Sequence, residues 1–484
     1  MKSRIYLFFA FCLVVFSTDL FGQGYQIKVK IENLQDSTIY LGYYFGDKQY
    51  AKDTVTLDGK GYGEFSGKEK LPGGVYFVLL PGNIFFELIV DKEQQFTVST
   101  KYTGNATDLV KNLITKGSHD MDLYINYQKY MTQQGELAIK LRDKLKTELL
   151  EPDKKRLNDS LQLLHNEVKM KWETIEKDHP ESLIAAILKI NKEIDIPEPP
   201  KDENGTIIDS SFQYKYYKAH YFDFIDFADE RLLRTQFYHP KIDRYFEKMI
   251  LPIPDTVIKE SYMVLVNAKA NEEVFKYTLQ LLFNKYNNSN IMGMDKAFVF
   301  FAETYYLNGN APWADSTWLS KVEERVKEIK PNLIGNKAQE IRLLSDDDQF
   351  ISLYNIHADY TVLFFYEPGC GHCKKATPKM KAMADKYWGQ GVEVLGIYTQ
   401  VEKEEWLKFI KEQELENWIN AWDPYNQSHF RQNYDVKSTP SIYLLDKNKN
   451  IIGKRIDVET LELILEDEFK KNPDKKLHRV VEPE

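Results

Sequence analysis

Cys370 and Cys373 lie one helical turn apart in "LFFYEPGCGHCKKATPKM" (residues 363–380), with Gly371 and His372 between them. The 484-residue chain has only three cysteines, so two so close together call for a chemical explanation. They could bind a metal, staple a loop or exchange electrons. A structural zinc site takes about four Cys or His ligands, and a single Cys-x-x-Cys with no second pair falls short of that. A disulfide closing so small a loop constrains the unfolded chain very little. Electron exchange is the reading that the spacing favours.

The hydrophobic run ending at Tyr366 reads as a strand and the residues from the cysteines on as a helix, which puts Cys370 at a helix N-terminus. Unpaired backbone N–H groups and the positive end of the helix dipole stabilise a thiolate there. Lys374 and Lys375 add positive charge, and a protonated His372 would stabilise the Cys370 thiolate further. Cys373 is more shielded and is placed to attack a mixed disulfide formed on Cys370. Cys370 is the expected nucleophile and Cys373 the expected resolver. This chemistry needs no cofactor and no metal.

The elements around the pair follow an α/β pattern from 331 to 473. "DQFISLYNI" and "YTVLFFYE" read as strands, the second buried on both faces. "VEVLGIYTQ" is a strand and "EKEEWLKFIKEQ" an amphipathic helix. "TPSIYLLDKNKNIIGKRI" gives two strands joined by a turn, and "DVETLELILEDEFKK" a closing helix. That order is the order of a thioredoxin fold. A charged tail, 474–484, follows.

Residues 23–104 alternate instead: "YQIKVKI" puts Tyr25, Ile27, Val29 and Ile31 on one face. Further strands separated by "GDK", "LDGKG", "LPGG" and "PGN" predict a small antiparallel β domain, sandwich or barrel-like. It contains no catalytic constellation and reads as a binding or spacer module. Residues 105–330 carry helical spacing, with a long hairpin broken at Glu151–Pro152 and a later stretch dense in aromatics. Those aromatics read as core, and His220 and His239 among them, without metal-pair spacing, as structural. The fold class is thus multi-domain α+β: an N-terminal antiparallel β domain, a central all-α domain and a C-terminal α/β thioredoxin fold.

Composition narrows the function. Lys+Arg 64 against Asp+Glu 73 gives a formal charge of −9, which argues against nucleic acid as a partner. Residues 1–22 read as a cleavable export signal: Lys2 and Arg4, then a short apolar core from Ile5 to Phe16. That core is too short to span a bilayer, which takes about 20 apolar residues. Cys12 lies inside it without small residues before it, so lipidation is not expected. Cleavage after Gly22 leaves only Cys370 and Cys373, in a chain with no transmembrane segment. An oxidising compartment, the bacterial periplasm, is the expected location.

The stretch from 331 to 473 resembles the thioredoxin-like thiol–disulfide oxidoreductases of the bacterial cell envelope. "FFYEPGCGHCKK" is similar to the family's strand-to-helix active site, and Pro378 to the proline that bends the active-site helix. "VKSTPSIYLLD" resembles the segment that carries a cis-proline. The resemblance implies a cis Thr439–Pro440 bond beside the cysteines, with both residues binding substrate chain, and a redox-active Cys370–Cys373 disulfide. It also implies protein thiol or disulfide substrates and an envelope redox partner. Gly-His between the cysteines is the dipeptide of protein disulfide isomerases, and implies a potential nearer their roughly −180 mV than the roughly −270 mV of thioredoxin.

Two positions depart from the family. Phe364 stands where a buried acid, six residues before the first cysteine, helps deprotonate the second, so water or an acid such as Glu367 would have to serve. Glu367 also stands where peroxidases of the superfamily carry a threonine, which sets thiol peroxidase activity behind. A further alternative is an envelope binding or scaffold protein with a regulatory redox module.

Overall fold

The computed structural model describes residues 24–147 and 150–471. The expected export signal, with Cys12, and the expected tail at 474–484 lie outside the described residues. The chain divides into two compact units, one ending at Tyr245 and the other beginning at Phe246.

In the first unit, β1 (Tyr25–Glu32) buries Tyr25, Ile27, Val29 and Ile31, the face the alternation predicts. Then come β2 (Thr38–Phe45), β3 (Lys48–Thr56), β4 (Tyr62–Gly67), β5 (Gly74–Leu80), β6 (Ile84–Val90), β7 (Gln95–Lys101), α1 (Ala106–Lys111) and β8 (Ile114–Lys116). They form two four-stranded sheets, β4-β1-β7-β8 and β3-β2-β5-β6, whose inner faces share one core. This is a sandwich, with one difference from a purely antiparallel one: β1 and β7 run parallel. The long path through the intervening strands permits that, since parallel neighbours need a crossover rather than a tight turn.

β3, between the expected turns "GDK" and "LDGKG", is an edge strand, mostly exposed and without hydrophobic alternation. β8 carries the sheet past the expected boundary at 104. The turn into β4 is fixed by Asp58, whose carboxylate accepts the amides of Lys60 and Tyr62 at 2.8 and 2.9 Å. Gly61 in this turn has φ +78°, and a Cβ there would meet the Ile31 carbonyl oxygen at 2.3 Å, so glycine is required.

The expected hairpin is α2 (His119–Leu145) and α3 (Glu151–Asp178). Ser118 caps α2 by accepting the Met121 amide, and Pro152 sits in the first turn of α3, where its missing N–H costs nothing. α4 (Leu183–Ile190) is apolar on nearly every side and joins the sandwich core. α5 (Phe212–Ala219) and α6 (Tyr238–Arg244) follow.

The second unit opens with α7 (Pro254–Ala268), α8 (Glu272–Asn287), α9 (Asp295–Phe301) and α10 (Ser316–Ile329). The α/β elements come next: β9 (Arg342–Ser345), β10 (Phe350–Ser352), β11 (Tyr360–Tyr366), α11 (Gly371–Lys386), β12 (Val392–Tyr398), α12 (Lys403–Glu412) and β13 (Ile419–Trp422). α13 (Phe430–Asn433), β14 (Ser441–Asp446), β15 (Ile451–Lys454) and α14 (Val458–Lys471) complete it. The mixed sheet has the order β10-β9-β13-β12-β11-β14-β15.

β11 is central, parallel to β12 and antiparallel to β14. It is buried along its whole length. Phe364 and Tyr366 enter the core on one face, and Leu363 and Phe365 the core on the other. The division between the units falls inside the stretch 105–330, because α7–α10 belong with the mixed sheet. Lys454, buried in β15, donates to the Asn332 carbonyl at 2.6 Å and pairs with Asp295 of α9.

Candidate active site

The Cys-x-x-Cys pair sits where the most buried strand hands over to a helix. β11 ends at Tyr366, Glu367–Pro368–Gly369 turn the chain, and Cys370 is the N-cap of α11. A helix leaves its first amides without intrahelical partners. Here the Cys370 sulfur accepts one of them, the Cys373 N–H, at 3.4 Å. On its other side the Cys370 thiol donates to the Thr439 carbonyl at 3.3 Å. That contact sets the segment before β14 against the cysteine sulfur, and the Thr439–Pro440 peptide in it is cis. Cys370, Cys373 and Thr439 are therefore brought together, and Pro440 follows directly. His372 is exposed in the first turn of α11, and Pro378 lies in its interior.

The two thiols differ sharply. Cys370 is partly exposed and Cys373 fully buried, and both are free. Burial alone would raise the Cys370 pKa. Hydrogen bonds from the Cys373 amide and thiol, the Thr439 side chain and the His372 amide outweigh it and hold the thiol below its ordinary range. Burial pushes Cys373 up to about 12, against a hydrogen bond from the Glu367 amide, and the neighbouring Cys370 adds to the rise.

At the position where the resemblance would place a strand acid stands Phe364. Phe364 is fully buried, stacked on Tyr366 with ring centroids 5.4 Å apart and edge-on to Trp418. The Glu367 carboxylate is held by the Gln400 side-chain amide. Among the described residues no cluster of three or more His, Cys, Asp or Glu side chains could hold a metal ion.

Two supports of the site escaped the sequence reading. The Tyr366 hydroxyl accepts from the Trp406 indole at 2.9 Å, and Trp406 stacks on Tyr398 and Trp422. This aromatic wall belongs to the core that includes Cys373. The second support grips the loop leading to Thr439. Asp435, buried and at φ +47°, takes Arg325 of α10 at 2.7 Å and Lys437 at 3.4 Å, and is paired with Arg455. Lys437 also reaches Glu328 of α10 at 2.9 Å. Neither network leaves a short-range sequence signal.

Residues 334–454 match the model of the AhpC/TSA family. This C-terminal module is a thioredoxin-like domain of that family. Residues 25–124 and 175–333 match two domains of unknown function, DUF4369 and DUF5106. No match emerges among curated proteins.

Among solved structures the chain is similar to a domain described as a "possible thiol-disulfide isomerase" from Cytophaga hutchinsonii. Identity is 38% over 30% of this chain and 97% of that one, with a TM-score of 0.28. It is also similar to a thioredoxin-like protein from Bacteroides caccae, at 23% identity over 57% of this chain and 99% of that one, TM-score 0.44. A third is the thioredoxin domain of a thiol-disulfide oxidoreductase from Bacteroides vulgatus, at 23% identity over 28% and 96%, TM-score 0.26. Among the described residues no helix is long and apolar enough to cross a membrane.

Proposed function

We propose that the protein is an exported thiol–disulfide oxidoreductase that acts on protein disulfides or thiols through Cys370 and Cys373. The observation that supports this best is the asymmetry of the pair. One sulfur is accessible and eased toward thiolate, while the other is buried and held protonated. In the reducing direction the Cys370 thiolate attacks one sulfur of a substrate disulfide. A mixed disulfide forms, and the other substrate sulfur leaves as thiolate. Cys373 then loses its proton and attacks the Cys370 sulfur, releasing the second substrate thiol. Two electrons have passed to the substrate, and the protein holds a Cys370–Cys373 disulfide for an envelope redox partner to reduce. The reverse sequence oxidises a dithiol.

In this reading the exposed His372 stabilises the attacking thiolate when protonated, and Thr439 and Pro440 receive the substrate chain beside the sulfur. The charged start and short apolar core of residues 1–22 support export to the periplasm. The test is turnover by the full chain: insulin should be reduced in the presence of dithiothreitol, and Cys370→Ser should lose that activity. Peroxide consumption without insulin reduction would assign a thiol peroxidase instead. Neither activity would leave a binding protein with a regulatory thiol pair.

A further inference from the structure

Glu87 of β6 stands in a setting unusual for a carboxylate. The hydroxyls of Tyr44 and Tyr124 donate to it at 3.0 and 2.6 Å, and the Gln236 side-chain amide donates at 2.7 Å. It lines a cavity of about 400 Å³ in the first unit. Aromatic side chains of Tyr124, Tyr127, Trp172 and Phe237 form much of the wall, and aliphatic residues of β5 and α4 complete it. Asn191 and Gln236 are exposed and mark the mouth. The size and the apolar lining with a few convergent polar groups are those of a small-molecule site.

The charge is what selects the ligand. Three neutral donors orient the carboxylate without compensating it. No Lys, Arg or His lines the cavity, and Glu87 is in no ion pair among the described residues. Lys192, Lys241 and Arg244 line the adjoining cavity, in company with Glu193. Burial, and next the charge of Glu87, keeps the Tyr44 and Tyr124 hydroxyls protonated well above the ordinary phenol range, so both remain donors. α4 ends at the mouth, with Asn191 as its C-cap, and the C-terminal end of a helix is the negative end of its dipole. An uncompensated carboxylate in apolar walls is costly. Aromatic faces attract cations, most strongly once water is excluded.

We propose that this cavity binds an organic ammonium group, seated on Glu87 among the aromatic side chains. The site is independent of the cysteines. Calorimetry on the full chain with hexylammonium, neutral hexan-1-ol and hexanoate tests it. Hexylammonium should bind about tenfold or more tightly than the alcohol, and hexanoate more weakly still. Glu87→Gln should erase the margin between ammonium and alcohol with the thermal transition retained. Cys370→Ser should leave it unchanged. Should Glu87→Gln fail to fold, Tyr127→Leu takes its place and should narrow the margin by removing one aromatic wall. Equal binding of ammonium and alcohol, or a margin that survives these substitutions, overturns the proposal.

Discussion

The two units each set one polar group into apolar walls, by opposite routes. Around Cys370 the decisive donor is the amide of Cys373, three residues away, and a helix N-terminus supplies it as soon as one turn forms. Around Glu87 the donors come from 43, 37 and 149 residues away. The first site needs a strand, a turn and a helix. The second needs a sandwich, a hairpin and a later loop to have packed. A group tuned by its sequence neighbours keeps its character while that one turn holds, whereas one tuned at long range loses it with the packing.

The sharpest way to break this contrast is at the cysteines. Cys370→Ser should abolish insulin reduction altogether. Cys373→Ser should permit one attack and then stall, leaving a mixed disulfide visible by intact mass. Turnover by Cys370→Ser would show that the local device is not the reactive one.

Next in size is the difference in alkylation. A thiol reacts as its thiolate, so both rates rise with pH. Cys370 should reach half its maximal rate below the ordinary thiol value of about 8.5, whereas Cys373, with a pKa of about 12, should stay inert near neutrality. At pH 7 the Cys370 rate should exceed the Cys373 rate by more than about tenfold. Mass spectrometry of iodoacetamide-treated, reduced protein reads both sites, and faster labelling of Cys373 would reverse the assigned roles.

Lys449 extends the comparison to a buried cation. It donates to the Ile356 carbonyl and the Thr361 hydroxyl, both at 2.7 Å. Burial lowers its pKa to about 8, against the opposing charge of Asp446. Between about pH 8 and the unfolded value of about 10.4 the unfolded chain binds more protons, so stability should rise with pH across that window. The gain is on the order of 2–3 kcal/mol, and Lys449→Met should flatten it in denaturant titrations. An unchanged slope would mean that the lysine is hydrated.

The smallest effect is expected at Asp435. Asp435→Ala leaves Arg325, Lys437 and Arg455 facing one another, and should cost about 1–3 kcal/mol in chemical denaturation. A loss confined to stability, with the Cys370 alkylation profile intact, would show that the N-cap sets the thiol by itself.

The same contrast explains what could be read from the sequence. The cysteine pair, β11 with burial on both faces, and the α2–α3 hairpin all rest on spacings of a few residues, and they were legible. The cis Thr439–Pro440 bond came from resemblance to a family rather than from spacing. The parallel β1–β7 pair was hidden because register between distant strands leaves no local mark. Glu87, Asp435 and the Trp406 wall were invisible for the same reason: their partners are assembled by the fold.

The bond between Lys454 and its neighbours bears on where the chain can be cut. Excising the redox module at 331 would strip away Asp295 and strand an ammonium group in the interior against the Asn332 carbonyl. It would also take Arg325 and Glu328 from the loop that faces Cys370. A fragment meant to behave like the parent should start at the seam near Phe246, carrying its helices as ballast that keeps the reactive end in trim.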